Sequence, residues 1–316
     1  MNENLYKILK FLYQNSSNYC SGQTLGNNLN ISRVAVSKYI KTLKAFGFNI
    51  ISKEKQGHAL YDNADIINEY YIRLKLEEIN ISLPVIFFET TNSTNLDAKS
   101  VAPEMKTGLV VAKTQSAGRG RKERIFSSED GGLYFSYITT PPNLKPYDAV
   151  KTVLLSGIAV CRVLSRYIET FLKWPNDVMI HEKKVCGILS EMICSSDILQ
   201  HLILGVGINI NNNANKDVST ACSLKDLNIF TKRVDILAQI IEELINIFNE
   251  FYTLGFKPFL NEYKSYSNTL GKKVKIIENE DSFEAYAEDI DENGFLVVRT
   301  GQDLLKIVTA DVSIRL

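Results

Sequence analysis

The chain has 316 residues, with 36 Lys and Arg against 36 Asp and Glu, so its formal net charge is zero. Its length predicts two to three domains of roughly 100–200 residues each, and its 45% hydrophobic content excludes wholesale disorder. No apolar run approaches the roughly 18–20 residues of a membrane helix, and the first residues lack the order of a signal peptide. The five cysteines form no C-x-x-C pair that would indicate a zinc site. We therefore expect a soluble, cytoplasmic protein.

The positive charge is concentrated at the N-terminus. Residues 1–61 hold eight cations and two anions, a net charge of +6, whereas residues 62–270 carry −2 and residues 271–316 carry −4. A small basic domain is a candidate for nucleic-acid binding. Charge alone leaves open a basic face that only aids solubility.

The N-terminal pattern is typical of a winged helix-turn-helix. Residues 3–14 carry apolar side chains at helical spacing. Ser21 is placed to cap a second short helix and Ser32 a third, with Asn30 suited to the left-handed turn between them. Two short strands follow around a basic wing at Lys53–Gly57. In this motif the later helix enters the major groove of DNA.

The third helix has two stripes. Its apolar stripe comprises Val36, Tyr39, Ile40 and Leu43, and its basic and polar stripe comprises Arg33, Ser37, Lys41 and Lys44. We expect Arg33 and Ser37 to reach base edges and the lysines to contact phosphates. The predicted DNA-binding residues are Arg33, Ser37, Lys38, Lys41, Lys53 and Lys55. The alternative is a module that binds only protein; for DNA, one such domain contacts one half-site, so a specific operator requires a dimer.

The expected fold class is α+β multidomain. Residues 1–62 form the winged helix-turn-helix, and residues 63–83 are expected to form a linker helix that ends before Pro84. Residues 84–268 alternate strand-like and helical runs, which predicts a mixed-sheet α/β domain. Residues 269–316 hold four or five short strands with acidic turns, which predicts an SH3-like barrel. Central strands are expected at 84–89, 109–113, 132–138, 168–173, 186–194 and 202–210, and helices at 95–102, 147–167 and 234–254.

Four motifs in the central domain carry chemistry. They are Gly118-Arg-Gly-Arg, Lys173-Trp-Pro-Asn-Asp177, Lys184-Val-Cys-Gly-Ile-Leu-Ser-Glu191 and Gly205-Val-Gly-Ile-Asn209. In Gly118-Arg-Gly-Arg, the glycines let the backbone approach a ligand, and the guanidinium groups match phosphate oxygens. This motif is neither a dinucleotide fingerprint nor a Walker loop. A glycine inside a strand marks close approach by a ligand or another backbone. Each motif alone also fits an ordinary basic loop, a Pro-Asn-Asp turn or simple strand packing.

Together, and with Ser93-Thr-Asn95 and Gln115, these motifs resemble the biotin protein ligases, whose central domain resembles class II synthetases. With the winged helix in front, the chain resembles the bifunctional bacterial form, a ligase and biotin operon repressor. The resemblance implies that the biotin carboxylate attacks the α-phosphate of Mg·ATP to give biotinyl-5′-AMP. A lysine of the biotin carboxyl carrier protein of acetyl-CoA carboxylase then attacks this anhydride. It further implies that biotinyl-5′-AMP is the corepressor and favours a homodimer on operator DNA.

The resemblance also implies roles for individual residues. The catalytic set is Lys184, Arg119 and Arg121 at the phosphate, with Asp177 orienting the incoming amine. The implied biotin-binding residues are Ser93, Thr94, Asn95, Gln115, Arg119, Gly120, Arg121, Lys184, Gly187 and Leu189. The implied ATP- and adenylate-binding residues are Arg119, Arg121, Arg124, Phe126, Asn176, Lys184 and Asn209. Mg²⁺ is expected with ATP, and its protein ligands are not identified.

Two positions depart from the family pattern. Phe126 stands where the family often has Trp and keeps an aromatic face for the adenine. Glu123 stands where the family often has Gly, and we expect it to pair with a neighbouring arginine and to slow loop closure.

Three alternatives remain. They are a ligand-sensing regulator without catalysis, a monofunctional ligase with a vestigial N-terminal domain, and a lipoate-type ligase. The set of Lys184, Arg119 and Arg121 argues against a regulator without catalysis. The basic stripe argues against a vestigial N-terminal domain, and the Lys173-Trp-Pro-Asn-Asp motif with Gly118-Arg-Gly-Arg argues against a lipoate-type ligase.

Overall fold

The structure is a computed structural model that describes residues 2–142, 144–195, 198–216, 218–278, 281–308 and 311–314. The chain divides into two compact units. The first comprises the chain up to Ser82 together with Thr231–Ala238, and the second comprises Leu83–Phe230 together with the chain from Gln239 onward. Among the helices of the described ranges, none combines the length and the apolar character needed to cross a bilayer.

The first unit contains the predicted helix-turn-helix and wing. Its elements are α1 (Glu3–Gln14), α2 (Gly22–Leu29), α3 (Arg33–Ala45), β1 (Ile50–Lys53), β2 (Gly57–Leu60) and α4 (Glu69–Glu78). The predicted caps are confirmed, because Ser21 accepts a hydrogen bond from the Thr24 amide and Ser32 from the Ala35 amide. Asn30 has φ +54° and ψ +45°, the left-handed conformation expected for the turn.

The apolar stripes of the first three helices meet in one core. The buried residues of α1 are Leu5, Tyr6, Ile8, Leu9 and Leu12, and those of α3 are Val36, Ile40 and Leu43. Tyr39, predicted with the α3 stripe, is only half-buried. The wing closes against the chain before α2, where the amides of Cys20 and His58 each donate to the other residue's carbonyl at 2.9 Å. Gly57 has φ +106°, and a side chain there would meet the Cys20 carbonyl, so this position requires glycine.

The expected linker helix is shorter than predicted. It covers only Glu69–Glu78, because Asn68 caps its start by accepting a hydrogen bond from the Tyr71 amide and Ile79 ends it. Five of its residues are buried, namely Tyr70, Tyr71, Ile72, Leu74 and Leu76. The polar composition that suggested a linker hides these apolar side chains, which make α4 part of the first unit.

A distant segment completes the first unit. The Arg233 side chain and amide both donate to Asp65 at 2.9 Å, and Lys232 pairs with Asp62 at 2.8 Å. Arg233 is only 5% exposed, so its charge is matched by Asp65 within the unit. Residues 63–68 therefore serve as an anchoring loop rather than as helix.

The second unit is built on a seven-stranded mixed sheet. Its strands are β3 (Val85–Thr91), β4 (Gly108–Gln115), β5 (Leu133–Thr139), β6 (Phe171–Lys173), β7 (Asp177–Ile180), β8 (Lys183–Ser195) and β9 (Ile198–Ile208). They lie in the order β3-β4-β5-β9-β8-β7-β6, and the β3–β4 pair is parallel while the others are antiparallel. The predicted strand 168–173 is shorter, and β7 was not predicted, because its four residues follow directly on the polar turn.

Four helices accompany this sheet in the chain. They are α5 (Thr94–Met105), α6 (Ala149–Leu164), α7 (Arg233–Leu254) and α8 (Lys257–Tyr266). Helix α5 packs on the sheet through Ala98 and Ala102, whose small side chains contact a buried cluster with Val110, Ile138 and Ile203. The prediction of one helix over 147–167 is too long, since α6 begins at Ala149 and ends at Leu164. Helix α8 was not predicted.

The last part of the chain forms a five-stranded antiparallel sheet, as predicted. Its strands are β10 (Lys273–Glu278), β11 (Asp281–Ile290), β12 (Leu296–Thr300), β13 (Asp303–Ile307) and β14 (Asp311–Ile314), in the order β13-β12-β11-β10-β14. Trp174 connects this sheet to the central one, because its indole donates to the Gly294 carbonyl and its amide donates to Thr269 Oγ1, both at 3.0 Å.

Candidate active site and DNA-binding face

A cleft of about 200 Å³ lies over the central strands of the seven-stranded sheet. It is lined by the start of α5, the loop between β4 and β5, the turn before β7, and strands β8 and β9. Val312 of β14 adds one side chain from the C-terminal sheet. The cleft thus gathers residues that lie as far apart in the sequence as Thr94 and Val312.

The floor of the cleft is mostly main chain, because three of its four paired positions are glycines and the fourth is Leu189. Gly187 pairs with Gly207 across β8 and β9, and Leu189 pairs with Gly205 two residues along the same strands. Because alternate residues of a strand face the same side, both pairs lie under the cleft. A side chain at Gly205 would overlap Asn95, and one at Gly207 would overlap the Phe126 ring. The glycines therefore make room for two side chains that lie flat on the sheet.

Asn95 and its neighbours form a hydrogen-bonded polar cluster at one end of this floor. Ser136 Oγ donates to Asn95 Oδ1 at 2.6 Å, and Asn95 Nδ2 donates to Glu191 Oε2 at 2.8 Å. The Thr94 amide donates to Gln115 Oε1 at 2.9 Å, while Gln115 Nε2 donates to Ser128 Oγ at 2.8 Å. Thr94 and Asn95 are both buried, so the cluster is held in a single arrangement.

Lys184 and Phe126 occupy the other end of the floor. The Lys184 ammonium lies 2.6 Å from Asp177 Oδ1 and 5.8 Å from the centroid of the Phe126 ring. The main chain of Lys184 is fixed on both sides, because its amide donates to Thr220 O and its carbonyl accepts from the Cys222 amide. A flexible side chain on a fixed backbone can exchange Asp177 for a negatively charged ligand without moving the strand.

The glycine- and arginine-rich loop is folded back on itself. The Phe126 amide donates to Gly118 O at 2.8 Å, and the Gly120 amide donates to Arg124 O at 2.7 Å. The tip is a short turn at Arg121–Glu123 in which Lys122 and Glu123 have φ of +52° and +58°. Two successive side chains in the left-handed region are unusual, since that conformation favours glycine.

Glu123 pairs with Arg119, as the sequence predicted for a neighbouring arginine. Arg119 Nη2 lies 2.8 and 2.9 Å from the two carboxylate oxygens. The hydrogen bonds that Arg119 donates to Glu123, and then the negative charge of Glu123, raise the pKa of Arg119. Glu123 is 83% exposed, so the carboxylate holds this guanidinium from the solvent side of the loop.

Most of the predicted ligand-binding residues lie together at this cleft. Thirteen of them line it, namely Thr94, Asn95, Gln115, Arg119, Gly120, Arg121, Arg124, Phe126, Asn176, Asp177, Lys184, Gly187 and Leu189. Ser93 and Asn209 do not line the cleft. Ser93 is buried at the N-cap of α5, and Asn209 is buried with its Oδ1 accepting from Asn212 Nδ2 at 3.0 Å.

Several lining residues were not predicted as site residues. Trp174 and Val312 are the main examples, because each brings the C-terminal sheet to the cleft. As the single Trp in the chain, Trp174 offered a signal within its motif. Val312 offered none, since an apolar residue in a short strand predicts only packing.

The basic face of the first unit agrees with the predicted stripe. Arg33, Ser37, Lys38, Lys41, Lys53 and Lys55 are all exposed. Lys53 lies 4.8 Å from the centroid of the Tyr19 ring, and Lys44 donates to Ser52 Oγ at 2.9 Å. Within the described part of the chain, none of these cations forms an ion pair with a carboxylate. The outward side of α3 and the wing therefore present uncompensated positive charge.

Three family descriptions match successive parts of the chain. An HTH domain matches residues 4–59, the biotin/lipoate A/B protein ligase family matches residues 85–209, and the biotin protein ligase C-terminal domain matches residues 269–315. The three matches follow the order of the helix-turn-helix, the seven-stranded sheet and the five-stranded sheet.

Individual relatives match over almost the whole chain. The Bifunctional ligase/repressor BirA of Bacillus spizizenii is 30% identical, with 97% of each chain covered, and that of Bacillus subtilis is 29% identical, with 99% of this chain and 100% of the relative covered. Among solved structures, the biotin protein ligase from Aquifex aeolicus in complex with biotin and ATP matches with a TM-score of 0.63 and 29% identity. That match covers 73% of this chain and 98% of the other.

Proposed function

The chain belongs to the family of bifunctional biotin protein ligases and repressors, and from this premise we propose how its residues divide the work. It is an ATP-dependent biotin protein ligase and a DNA-binding repressor of biotin genes, and biotin and ATP are its substrates. The observation that carries the proposal is the cleft, in which a fixed polar cluster and a displaceable cation lie at opposite ends of a glycine floor.

Biotin is proposed to bind along this floor. The Thr94, Asn95 and Gln115 cluster offers hydrogen-bonding groups for the ureido ring, and Gly187 and Leu189 offer an apolar slot for the rest of the molecule. Gly120 lies on the loop side of the slot. Ser93 contributes to this site through its buried position at the start of α5 rather than through the cleft lining.

The carboxylate of biotin is proposed to meet the α-phosphate of ATP at Lys184. The phosphate gains negative charge in the transition state, and preorganised cations stabilise that charge. Lys184 would exchange Asp177 for the phosphate, while Arg119, Arg121 and Arg124 close from the loop. Asp177, released from this ion pair, is then placed to orient the amine of the incoming carrier lysine.

The adenine is proposed to bind beside Phe126. The ring lies over Gly207 and faces Tyr134 edge-on, with 6.4 Å between centroids, so it can present an aromatic face to a nucleobase. Asn176 donates to the Ile188 carbonyl at 3.1 Å, which fixes its amide at the cleft wall. Asn209 is buried and does not line the cleft, so its proposed contact with the adenine edge requires it to become accessible.

Mg²⁺ is proposed to enter as Mg·ATP. Within the described ranges, no three His, Cys, Asp or Glu side chains are grouped as a metal-binding cluster. The phosphate oxygens of ATP are good ligands for this ion, which is usually held by one or two carboxylates together with substrate phosphates.

The regulatory half of the proposal uses the first unit. The domain limits predicted from the sequence, 1–62, 63–83, 84–268 and 269–316, stay a proposal, and residues 63–82 of the predicted linker belong to the first unit. Biotinyl-5′-AMP is proposed to act as corepressor by favouring a homodimer, which supplies the second half-site contact. A cytoplasmic location likewise stays a prediction.

The most direct test is a mass measurement. The protein is incubated with ATP, biotin and the biotin carboxyl carrier domain of acetyl-CoA carboxylase, and the molecular mass of the carrier domain is measured by mass spectrometry. We expect one added biotinyl group on one lysine. Lipoate in place of biotin is the control, because a lipoate-type ligase would attach lipoate to its own carrier protein instead. A carrier that gains no mass, although the protein binds biotin, would support the alternative of a ligand-sensing regulator without catalysis.

A further inference from the structure

The side-chain amide of Asn95 lies across three neighbouring strands. Ser136 of β5 pairs with Gly205 of β9, which in turn pairs with Leu189 of β8. Ser136 donates to Asn95 Oδ1, whereas Asn95 Nδ2 donates to the Leu189 carbonyl at 3.5 Å and to Glu191 at 2.8 Å. An asparagine amide has two donor hydrogens and two acceptor lone pairs. Both hydrogens are therefore engaged, and one lone pair of Oδ1 remains for a ligand.

Glu191 determines which end of this amide faces which neighbour. An ionised carboxylate only accepts hydrogen bonds, so the NH₂ end of Asn95 must point toward it. Lys99, one turn further along α5, forms an ion pair with the other oxygen of Glu191. The side chain of Glu191 is only 19% exposed and that of Lys99 35%. The lysine thus holds the carboxylate in place beside the cleft, and neither of the two side chains lines the cleft.

We propose that Glu191, held by Lys99, is a positioning residue that keeps Asn95 as a hydrogen-bond acceptor in the biotin site. The ureido ring of biotin carries N–H donors, and the free lone pair of Asn95 Oδ1 suits one of them. A flipped Asn95 would present its NH₂ group to the same donor and repel it. This inference rests on the proposed function, because it takes the polar cluster to be the ureido end of the biotin site.

A Glu191→Gln variant tests the inference with almost no change in shape. Lys99 can only donate, so the glutamine amide turns its oxygen toward Lys99 and its NH₂ group toward Asn95. We expect Asn95 to flip and the KM for biotin to rise about tenfold, with kcat changed less than about twofold and the KM for ATP unchanged. Lys99→Met alone leaves the carboxylate as an acceptor and should change the KM for biotin less than about threefold.

The double variant Lys99→Met with Glu191→Gln gives the sharpest result. Without the lysine, the glutamine oxygen is free to accept from Asn95, so the KM for biotin should return to within about threefold of wild type. Desthiobiotin keeps the ureido ring and should follow biotin in every variant. Glu89→Gln is the matched control, since Glu89 also pairs with a lysine, Lys113 at 3.6 Å, but is 74% exposed and does not line the cleft.

The assay is biotin-dependent pyrophosphate exchange, with a thermal melt of each variant to verify folding. A wild-type protein without exchange would count against the proposed function itself. With an active wild type, an unchanged KM for biotin in Glu191→Gln would overturn this inference alone. An equal rise in the KM for ATP, or no recovery in the double variant, would also overturn it, because both point to general disturbance of the cleft.

Discussion

The two surfaces proposed to bind phosphate, the basic face of the first unit and the cleft of the second, treat their cations differently. On α3 and the wing, Arg33, Lys38 and Lys41 are exposed and, within the part of the chain that the structure describes, have no carboxylate partner. In the cleft, Lys184 is paired with Asp177 and Arg119 with Glu123.

The pairing of the cations determines what each surface can sense. Unpaired cations attract any polyanion, and their contribution falls steeply with salt. Paired cations must exchange a carboxylate for the ligand, so binding at the cleft necessarily changes contacts of the loop and of the turn before β7. The basic face is therefore suited to affinity for DNA, and the cleft is suited to coupling ligand binding to a conformational change. Four experiments test this division of roles between the two surfaces.

Removing the lysine of the cleft should have the largest effect. Lys184→Ala deletes the cation proposed to meet the α-phosphate, and we expect biotin-dependent pyrophosphate exchange to fall about a hundred- to thousandfold. Lys183→Ala is the matched control, because Lys183 is exposed on the same strand and does not line the cleft. If Lys184→Ala retained near-normal exchange, the lysine would lose its proposed role.

Filling the floor should separate the two ends of the cleft. An added methyl group at Gly205 would lie 2.2 Å from Asn95 Oδ1, so Gly205→Ala should raise the KM for biotin more than tenfold. At Gly207 the added methyl would lie 2.7 Å from the Phe126 ring, so Gly207→Ala should mainly raise the KM for ATP. Steady-state kinetics with each substrate varied in turn checks this, and identical effects of the two variants would contradict the division.

Changes on the basic face should leave catalysis intact. The DNA probe is a duplex selected from a random library by the wild-type protein with biotinyl-5′-AMP. We expect Arg33→Ala to weaken binding to this duplex about tenfold. Lys41→Ala should lower the slope of log affinity against log salt by about one, as expected for a phosphate contact. Both variants should biotinylate the carrier domain at the wild-type rate. A loss of ligation would show that the two surfaces are not separable in this way.

The smallest effect is expected at Glu123. Glu123→Gly removes the partner of Arg119 and places glycine at a φ of +58°, so biotinyl-5′-AMP should bind about two- to fivefold more tightly. Glu123→Gln keeps the strained backbone and removes only the charge, which separates the two causes. Trp174 is the only Trp in the chain and lines the cleft, so its fluorescence in a stopped-flow instrument can follow binding. Equal affinity and equal rates in all three proteins would show that the ion pair does not slow the loop.

Local signals predicted the first unit well. Caps and turns act over three or four residues, and Ser21, Asn30 and Ser32 behave as their residue types predict. The family resemblance likewise placed most of the cleft residues, because its motifs carry the glycines and charges that the site needs. The helix of residues 63–83 was predicted too long because the Asn68 cap went unrecognised within a polar stretch.

The remaining features depend on contacts between distant residues. No pattern in β14 indicates that Val312 reaches the cleft, and no spacing indicates that Glu191 orients Asn95 from 96 positions away. Asn209 ends a motif, yet its side chain is buried against Asn212 in the structure. Such contacts are set by sheet register, which the sequence of one strand does not specify.

The glycine floor has a consequence for protein engineering. Gly187, Gly205 and Gly207 offer no side chain to exchange, so substitution at these three positions can only add bulk and shrink the site. A redesign that aims to accept a larger biotin analogue must therefore work from Leu189 or from the loop that carries Gly118 and Phe126. Libraries restricted to that loop would search for altered ligand choice while leaving the sheet beneath it untouched.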